Sequence, residues 1–189
     1  MGRGSAEPDL QQNCDKPAGF ARTNGDSHHA CTRYNHAPVA STDVTVRVAA
    51  AHDVAALASL RSLWDPGDDD PELERRIADW LAAEGARRTT WLALLDDAPV
   101  GMASLFEYRR MPRAARPDSR WGYVSNVFVR EEFRNRGIGS ALLEAIIAAA
   151  DERDYAHLML APQARALPFF RRAGFVGADD RLLVRPGRD

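Results

Sequence analysis

The chain has 189 residues, 45% of them hydrophobic, and its 27 acidic and 25 basic side chains leave a formal net charge of -2. That length suits one domain with enough apolar content for a core, and so even a balance gives no global basic field to attract nucleic acid. No apolar run is long enough to span a bilayer, and no apolar signal core follows the N-terminal Arg, so the cytoplasm is the expected compartment. Residues 1–42 are rich in Gly, Ala, Pro, Asn, Asp and Ser without helical or strand period. They read as a disordered extension ahead of a domain over 43–189. Both cysteines, Cys14 and Cys31, lie in that extension, which excludes a disulfide-stapled core and a Cys-acyl intermediate within the domain. With His28 and His29 they fit no zinc-ligand spacing, so no metal is expected.

Val44, Val46 and Val48 alternate with polar residues and predict the first strand. Asp53 then stands at the start of an amphipathic helix carrying Val54, Leu57, Leu60 and Trp64, where a carboxylate suits the positive end of the helix dipole. Pro66 and Gly67 break it. After Pro71 a second helix places Leu73, Ile77, Trp80 and Leu81 on one face and ends near Gly85. Residues 91–95 and 100–108 read as antiparallel strands joined by an Asp96-Asp97 turn. Residues 109–120 form a long Arg/Pro-rich loop, either a cover over a site or a solvated connection. A buried strand follows over 121–129, then a charged turn over 130–136, then a helix whose apolar face is Ile138, Leu142, Ala145, Ile146 and Ala149. Beyond it come a short interior strand over 156–160 that includes His157, and a short helix over 163–173 that admits Pro168 only in its first turn and stops at Gly174. Val176 with residues 182–184 supplies a last pair of strands.

The connection over 134–140 carries the chemistry. A strand that feeds a helix through a glycine turn leaves the first N–H groups of that helix without intrahelical partners. Gly137 and Gly139 let the backbone approach a ligand closely, and the helix dipole with Arg134 and Arg136 makes the turn a cradle for a phosphate or pyrophosphate. Two known phosphate motifs are excluded: no Lys follows Gly139 as a P-loop requires, and Leu142 stands where a dinucleotide fingerprint has its third glycine. What remains is Arg134-Asn135-Arg136-Gly137-Ile138-Gly139, an R-x-x-G-x-G run directly after an apolar strand. With Asn126-Val127-Phe128-Val129 before it and Leu142-Leu143 after it, this string resembles the central motif of the GNAT superfamily of N-acetyltransferases.

The resemblance extends over about residues 45–184, and the element order read above, β-α-α-β-β-β-α-β-α-β-β, is that of the family's α/β fold, a mixed sheet with a splayed central strand pair. It implies acyl transfer, with acetyl from acetyl-CoA passing directly to a primary amine of a small molecule or protein in a ternary complex; a non-catalytic acyl-CoA-binding module and a ligand-free interaction domain are the rivals. It also implies that Arg134, Asn135, Arg136, Gly137, Ile138, Gly139 and Ser140 hold the pyrophosphate of acetyl-CoA, and that Val127, Phe128 and Val129 pair through their backbone with the pantetheine arm. Many members carry a Tyr five residues before the final Phe to protonate the leaving thiolate. Here that position is Phe170, which has no proton to give and is expected to cover the pantetheine arm. For catalysis the strand offers no carboxylate, so Glu107 and Tyr108 are the candidate bases beside a water chain, while Asn126 either orients substrate or pins the bulged strand. Residues 65–70 are either a solvated loop or an anionic wall for a cationic amine. The expected partners are an acyl-CoA and an amine, with no nucleic acid and no membrane, for a monomer or homodimer.

Overall fold

A computed structural model describes residues 44–67 and 70–178. Its elements are β1 (Val44–Val48), α1 (Val54–Trp64), α2 (Leu73–Glu84), β2 (Arg88–Leu95), β3 (Ala98–Arg109), β4 (Arg120–Val129), α3 (Ile138–Glu152), β5 (Leu158–Met159) and α4 (Leu167–Arg172). The five strands lie side by side in sequence order, antiparallel from β1 to β4, and β5 joins β4 in parallel. Asp96 and Asp97 turn the β2–β3 hairpin with φ of 49° and 61°, the doubly left-handed form that matches strand twist. The expected extension over 1–42 and the strand residues 182–184 lie outside the described residues, and Val176 is in no strand. The strand expected over 156–160 is only two residues long.

Two cores form because the two faces of the sheet are covered by different helices. On one face Leu57 and Leu60 of α1 meet Leu92, Met102 and Phe128, with Ile77 and Leu81 of α2 packed against them. On the other, Ile138, Leu142, Leu143 and Ile146 of α3 pack on Trp91, Ala93, Val100, Ala103, Leu105 and Val124. The buried stripe of α3 thus includes Leu143 and Ala150 while Ala145 and Ala149 stay half-buried, a rotation of the expected face toward the sheet. Each fully buried Leu or Ile in that stripe contributes about 1.5–3 kcal/mol.

Asp53 fixes the entry to α1. Its carboxylate accepts the Ala50 N–H at 2.7 Å and both terminal nitrogens of Arg47 at 2.7 Å. The Arg47 hydrogen bonds hold this acid well below the ordinary carboxylate range despite its burial. Folding stability from this group is therefore present above the ordinary Asp pKa and is lost as pH falls through the depressed folded value.

Candidate functional site

The turn between β4 and α3 begins with Arg130, whose N–H extends the β3–β4 ladder to the Val100 carbonyl at 2.9 Å. A 3-10 turn over Glu131–Phe133 follows. Asn135 (φ 61°) and Gly137 (φ 81°) then occupy the left-handed region, Gly137 as the N-cap of α3. This backbone turns the chain so that the first helical hydrogen bond is Ala141 N–H to the Gly137 carbonyl at 3.0 Å. The N–H groups of residues 135–140 donate to no backbone or side-chain acceptor among the described residues. Six adjacent donors at the positive end of a fifteen-residue helix make an anion cradle.

The cradle opens into a cleft of about 900 Å³, within the size range of small-molecule sites. The cleft exists because β4 and β5 part company. Among the described residues their ladder holds only at Gly122 with Leu158 and Tyr123 with Met159, and beyond Tyr123 the β5 side of β4 has no strand partner among them. The lining comes from both faces of the sheet. Trp64, Tyr123, Ser125 and Phe128 line it on the α1/α2 face; Val124, Val129, Ile138, Phe169 and Phe170 line it on the α3 face. The cleft therefore runs through the sheet between two strands, a passage that no hairpin sheet offers.

A β-bulge sits at its midpoint. Register runs Met102 with Phe128 and then Ser104 with Ser125, so Asn126 and Val127 together face Ala103. Asn126 takes the left-handed conformation at φ 53°, which Asn tolerates better than most residues. The extra residue flips the alternation, so that Val124 and Val127 join the same core three positions apart. Gly101 permits the close approach of β3 here, since a Cβ on it would meet the Phe128 carbonyl oxygen at 2.9 Å. Asn126 Nδ2 donates to Ser104 Oγ at 3.4 Å, and Ser104 shares a hydrogen bond with Thr90 at 3.0 Å. Asn126 thus both pins the bulge and lines the cleft.

The expected site residues divide. Val127, Phe128, Val129, Arg134, Asn135, Gly137, Ile138, Gly139, Ser140 and Phe170 are brought together along the cleft. Arg134 Nε donates to the Val129 carbonyl at 3.1 Å, tying the turn back to β4. Arg136 is not among the lining residues; its guanidinium lies over the Phe133 ring, 5.4 Å from the centroid. Glu107 and Tyr108 do not line the cleft either. Glu107 is buried and accepts from Tyr155 Oη at 2.7 Å and from Arg109 Nε, with Arg120 at 3.5 Å. Burial raises its pKa, but the Arg109 and Tyr155 hydrogen bonds and the two arginine charges prevail and hold it below the ordinary Glu value. Tyr108 stacks on Trp121 at 4.1 Å, and Trp121 on His157 at 5.6 Å. His157 is exposed at the edge of the sheet, where the expectation was an interior histidine. Asp65 pairs with Arg61 at 3.0 Å and Asp70 with Arg76, so these carboxylates serve their own helices. Asp68 and Asp69 lie outside the described residues. Trp64, Tyr123, Ser125, Gln163, Arg165 and Arg172 line the cleft without having been expected there. Of these, only Ser125 carried a sequence signal, a polar residue interrupting an apolar strand.

An anion cradle at a helix N-terminus, opening on a stretch of strand beside a bulge in a mixed α/β sheet, is the arrangement that the resemblance of the motif implied. The sequence profile of the Acetyltransferase (GNAT) family matches residues 54–175, and the chain belongs to this family. It is 31% identical over 90 residues to "Uncharacterized N-acetyltransferase YafP" of Escherichia coli, a match that spans 48% of this chain and 47% of that protein. The chain thus covers about half the length of this curated relative. Its fold resembles a "predicted acetyltransferase" from Clostridium acetobutylicum solved with acetyl-CoA (TM-score 0.61, 20% identity, 75% of this chain and 96% of that one). It also resembles glucosamine-6-phosphate N-acetyltransferase from Arabidopsis thaliana (TM-score 0.63, 13% identity, 77% and 99%).

Proposed function

We propose that this protein is an acyl-CoA-dependent N-acyltransferase that moves acetyl from acetyl-CoA directly to a primary amine in a ternary complex. The observation that carries the reading is the set of six unpartnered N–H groups over residues 135–140 at one end of a cleft bounded by the free side of β4. The pyrophosphate of an acyl-CoA would take those donors, with Arg134, Arg165 and Arg172 supplying countercharge around it. The arm would run along Val127, Phe128 and Val129, covered by Phe169 and Phe170. At the bulge, a backbone N–H released from the ladder polarises the thioester carbonyl and receives the charge that develops on its oxygen.

The amine nitrogen attacks the carbonyl carbon; the C–N bond forms, the C–S bond breaks, the nitrogen loses one proton and the thiolate takes one. Both cysteines precede residue 43, so a covalent cysteine relay has no residue within the domain. Phe170 gives the thiolate no proton, so solvent serves as the donor, and Glu107 is committed to its arginines. The amine therefore arrives as the free base or releases its proton to water in the cleft.

The test is a thermal-shift titration with acetyl-CoA followed by CoA-release assays on an amine panel. Acetyl-CoA is expected to raise the melting temperature as a ligand of the native state does, with CoA release on at least one amine. The missing proton donor at Phe170 favours one rival, a non-catalytic acyl-CoA-binding module; tight binding without turnover on any acceptor would select it. We assign this activity to residues 43–189, so a chain begun at residue 43 should retain both responses.

A further inference from the structure

The α1/α2 face of the sheet carries a polar row that the coenzyme end of the cleft does not use. Arg88 pairs in register with Phe106, and Phe106 with Tyr123; the next inward positions on this face are Thr90, Ser104 and Ser125. The Arg88 guanidinium lies over the rings of Trp80 at 4.7 Å and Phe106 at 4.8 Å, and its side chain is only 16% exposed. Its charge is incompletely matched. Glu84 stands 3.7 Å away and is itself 36% exposed, Ser125 Oγ accepts from it at 3.4 Å, and Nε is buried with no partner. Ser125 is the contact point with the cleft, which it lines beside Tyr123 and Asn126. Since its oxygen accepts from Arg88, its own hydrogen is left to donate outward.

A second observation points the same way. Residues 109–120, which connect β3 to β4 at this end of the sheet, hold five arginines against one acid, Asp118. Arg109 and Arg120 are held by Glu107; Arg110, Arg113 and Arg116 have no ion-pair partner among the described residues. A largely buried and incompletely matched cation thus stands behind a cleft-lining hydroxyl, with a basic loop beyond it.

On the reading that the cleft transfers acyl groups, we propose that the acceptor enters on this face. It is an amine bearing a compact anionic group, a carboxylate or a phosphate, received by the Ser125 hydroxyl with the Arg88 charge behind it. Arg88 is a positioning residue that acts through Ser125.

The experiment compares kcat/KM for CoA release across matched acceptors: an amino acid against its decarboxylated amine, O-phosphoethanolamine against ethanolamine, and spermidine as a polycation. The expected preference for an anionic member is roughly tenfold to a hundredfold, the scale of one charge-assisted hydrogen bond, and it should shrink as salt is raised. Whichever pair shows the larger ratio identifies carboxylate or phosphate. Ser125→Ala and Arg88→Met should each bring that ratio to within about threefold of unity, with the acetyl-CoA thermal shift as the check of fold; Ser125→Ala suffices if Arg88→Met does not fold. A preference for neutral amines or spermidine overturns this inference and leaves acyl transfer standing, and an unaltered ratio in the variants overturns the assignment to Ser125 and Arg88. Should no amine turn over, acyl transfer itself fails. The inference is then decided by calorimetric titration in the presence of CoA, where equal affinity for the charged and neutral partners would overturn it.

Discussion

The two ends of the cleft are built from different materials. At the α3 end, residues 134–140 present main-chain N–H groups, and two left-handed residues, Asn135 and Gly137, aim them. At the opposite end, Trp64, Tyr123 and Ser125 come from α1 and β4 and present side chains, with Arg88 of β2 behind Ser125. On the proposed reading, the backbone donors would meet what every acyl-CoA shares, a diphosphate and an amide arm. The side chains at the other end would meet what differs from one amine to another. Substitutions should therefore act unequally: at the first end they work only by deforming the chain, and at the second by changing chemistry.

The harshest break of that contrast is Val127→Pro. Asn126 and Val127 stand together opposite Ala103 without ladder partners of their own, so proline at 127 deletes a main-chain donor while leaving most of the β3–β4 ladder. Losing an oxyanion donor costs roughly a hundredfold to a thousandfold in kcat. Turnover within tenfold of the parent, in a protein that still shows the acetyl-CoA thermal shift, would remove the bulge from the mechanism.

A milder break separates the two glycines of the turn. Gly137 holds φ 81°, which a Cβ strains even though no atom stands within 4 Å of it. At Gly139 a Cβ would only touch the Phe169 ring at 3.4 Å. Gly137→Ala should therefore cost about 1–2 kcal/mol, read as the combined loss in melting stability and in acetyl-CoA affinity. Gly139→Ala should stay within about 0.5 kcal/mol in melting stability, the range of an unstrained substitution, so that any larger loss there is one of acetyl-CoA affinity alone. Equal losses at the two positions would mean that backbone conformation does not set the cradle.

The same division explains what was legible in the sequence. The cradle could be read because it is local: strand, turn, glycines and helix lie within thirty consecutive residues, and apolar period with glycine spacing encodes them. The covalent order of β1 to α4 was readable for the same reason. Arg88 was not, since nothing in Arg87-Arg88-Thr89 states that a register shift will set it behind Ser125, 37 positions away. Trp64 read as one more apolar residue of a helix face, whereas its ring stacks on Phe128 at the cleft. That Glu107 sits away from the cleft was not legible either, because its partners, Tyr155 and Arg120, are distant along the chain and adjacent only across the sheet. The short β5 was overextended because Leu158, Met159 and Leu160 form an apolar run, and the splay that stops the ladder at Tyr123 leaves no trace in composition.

Glu107 supplies the smallest expected effect on rate and the clearest control. It belongs to neither end of the cleft, and its carboxylate ties Tyr155, after α3, to the arginines that close the β3–β4 loop. Glu107→Gln should leave the pH dependence of kcat/KM unmoved, because its carboxylate does not line the cleft and is taken up by Tyr155 and Arg109. Its effect belongs to stability. The folded state holds this acid below its ordinary value, so its contribution is complete above the ordinary Glu pKa and disappears as pH falls through the folded one. In a buried group with charged partners that contribution is about 1–3 kcal/mol. Parent and variant should therefore differ by that amount in urea denaturation at pH 7 and converge at acid pH, below the folded pKa of Glu107. A displaced acidic limb in the rate profile, with the stability difference absent, would return Glu107 to the reaction and join the scaffold to the acceptor end after all.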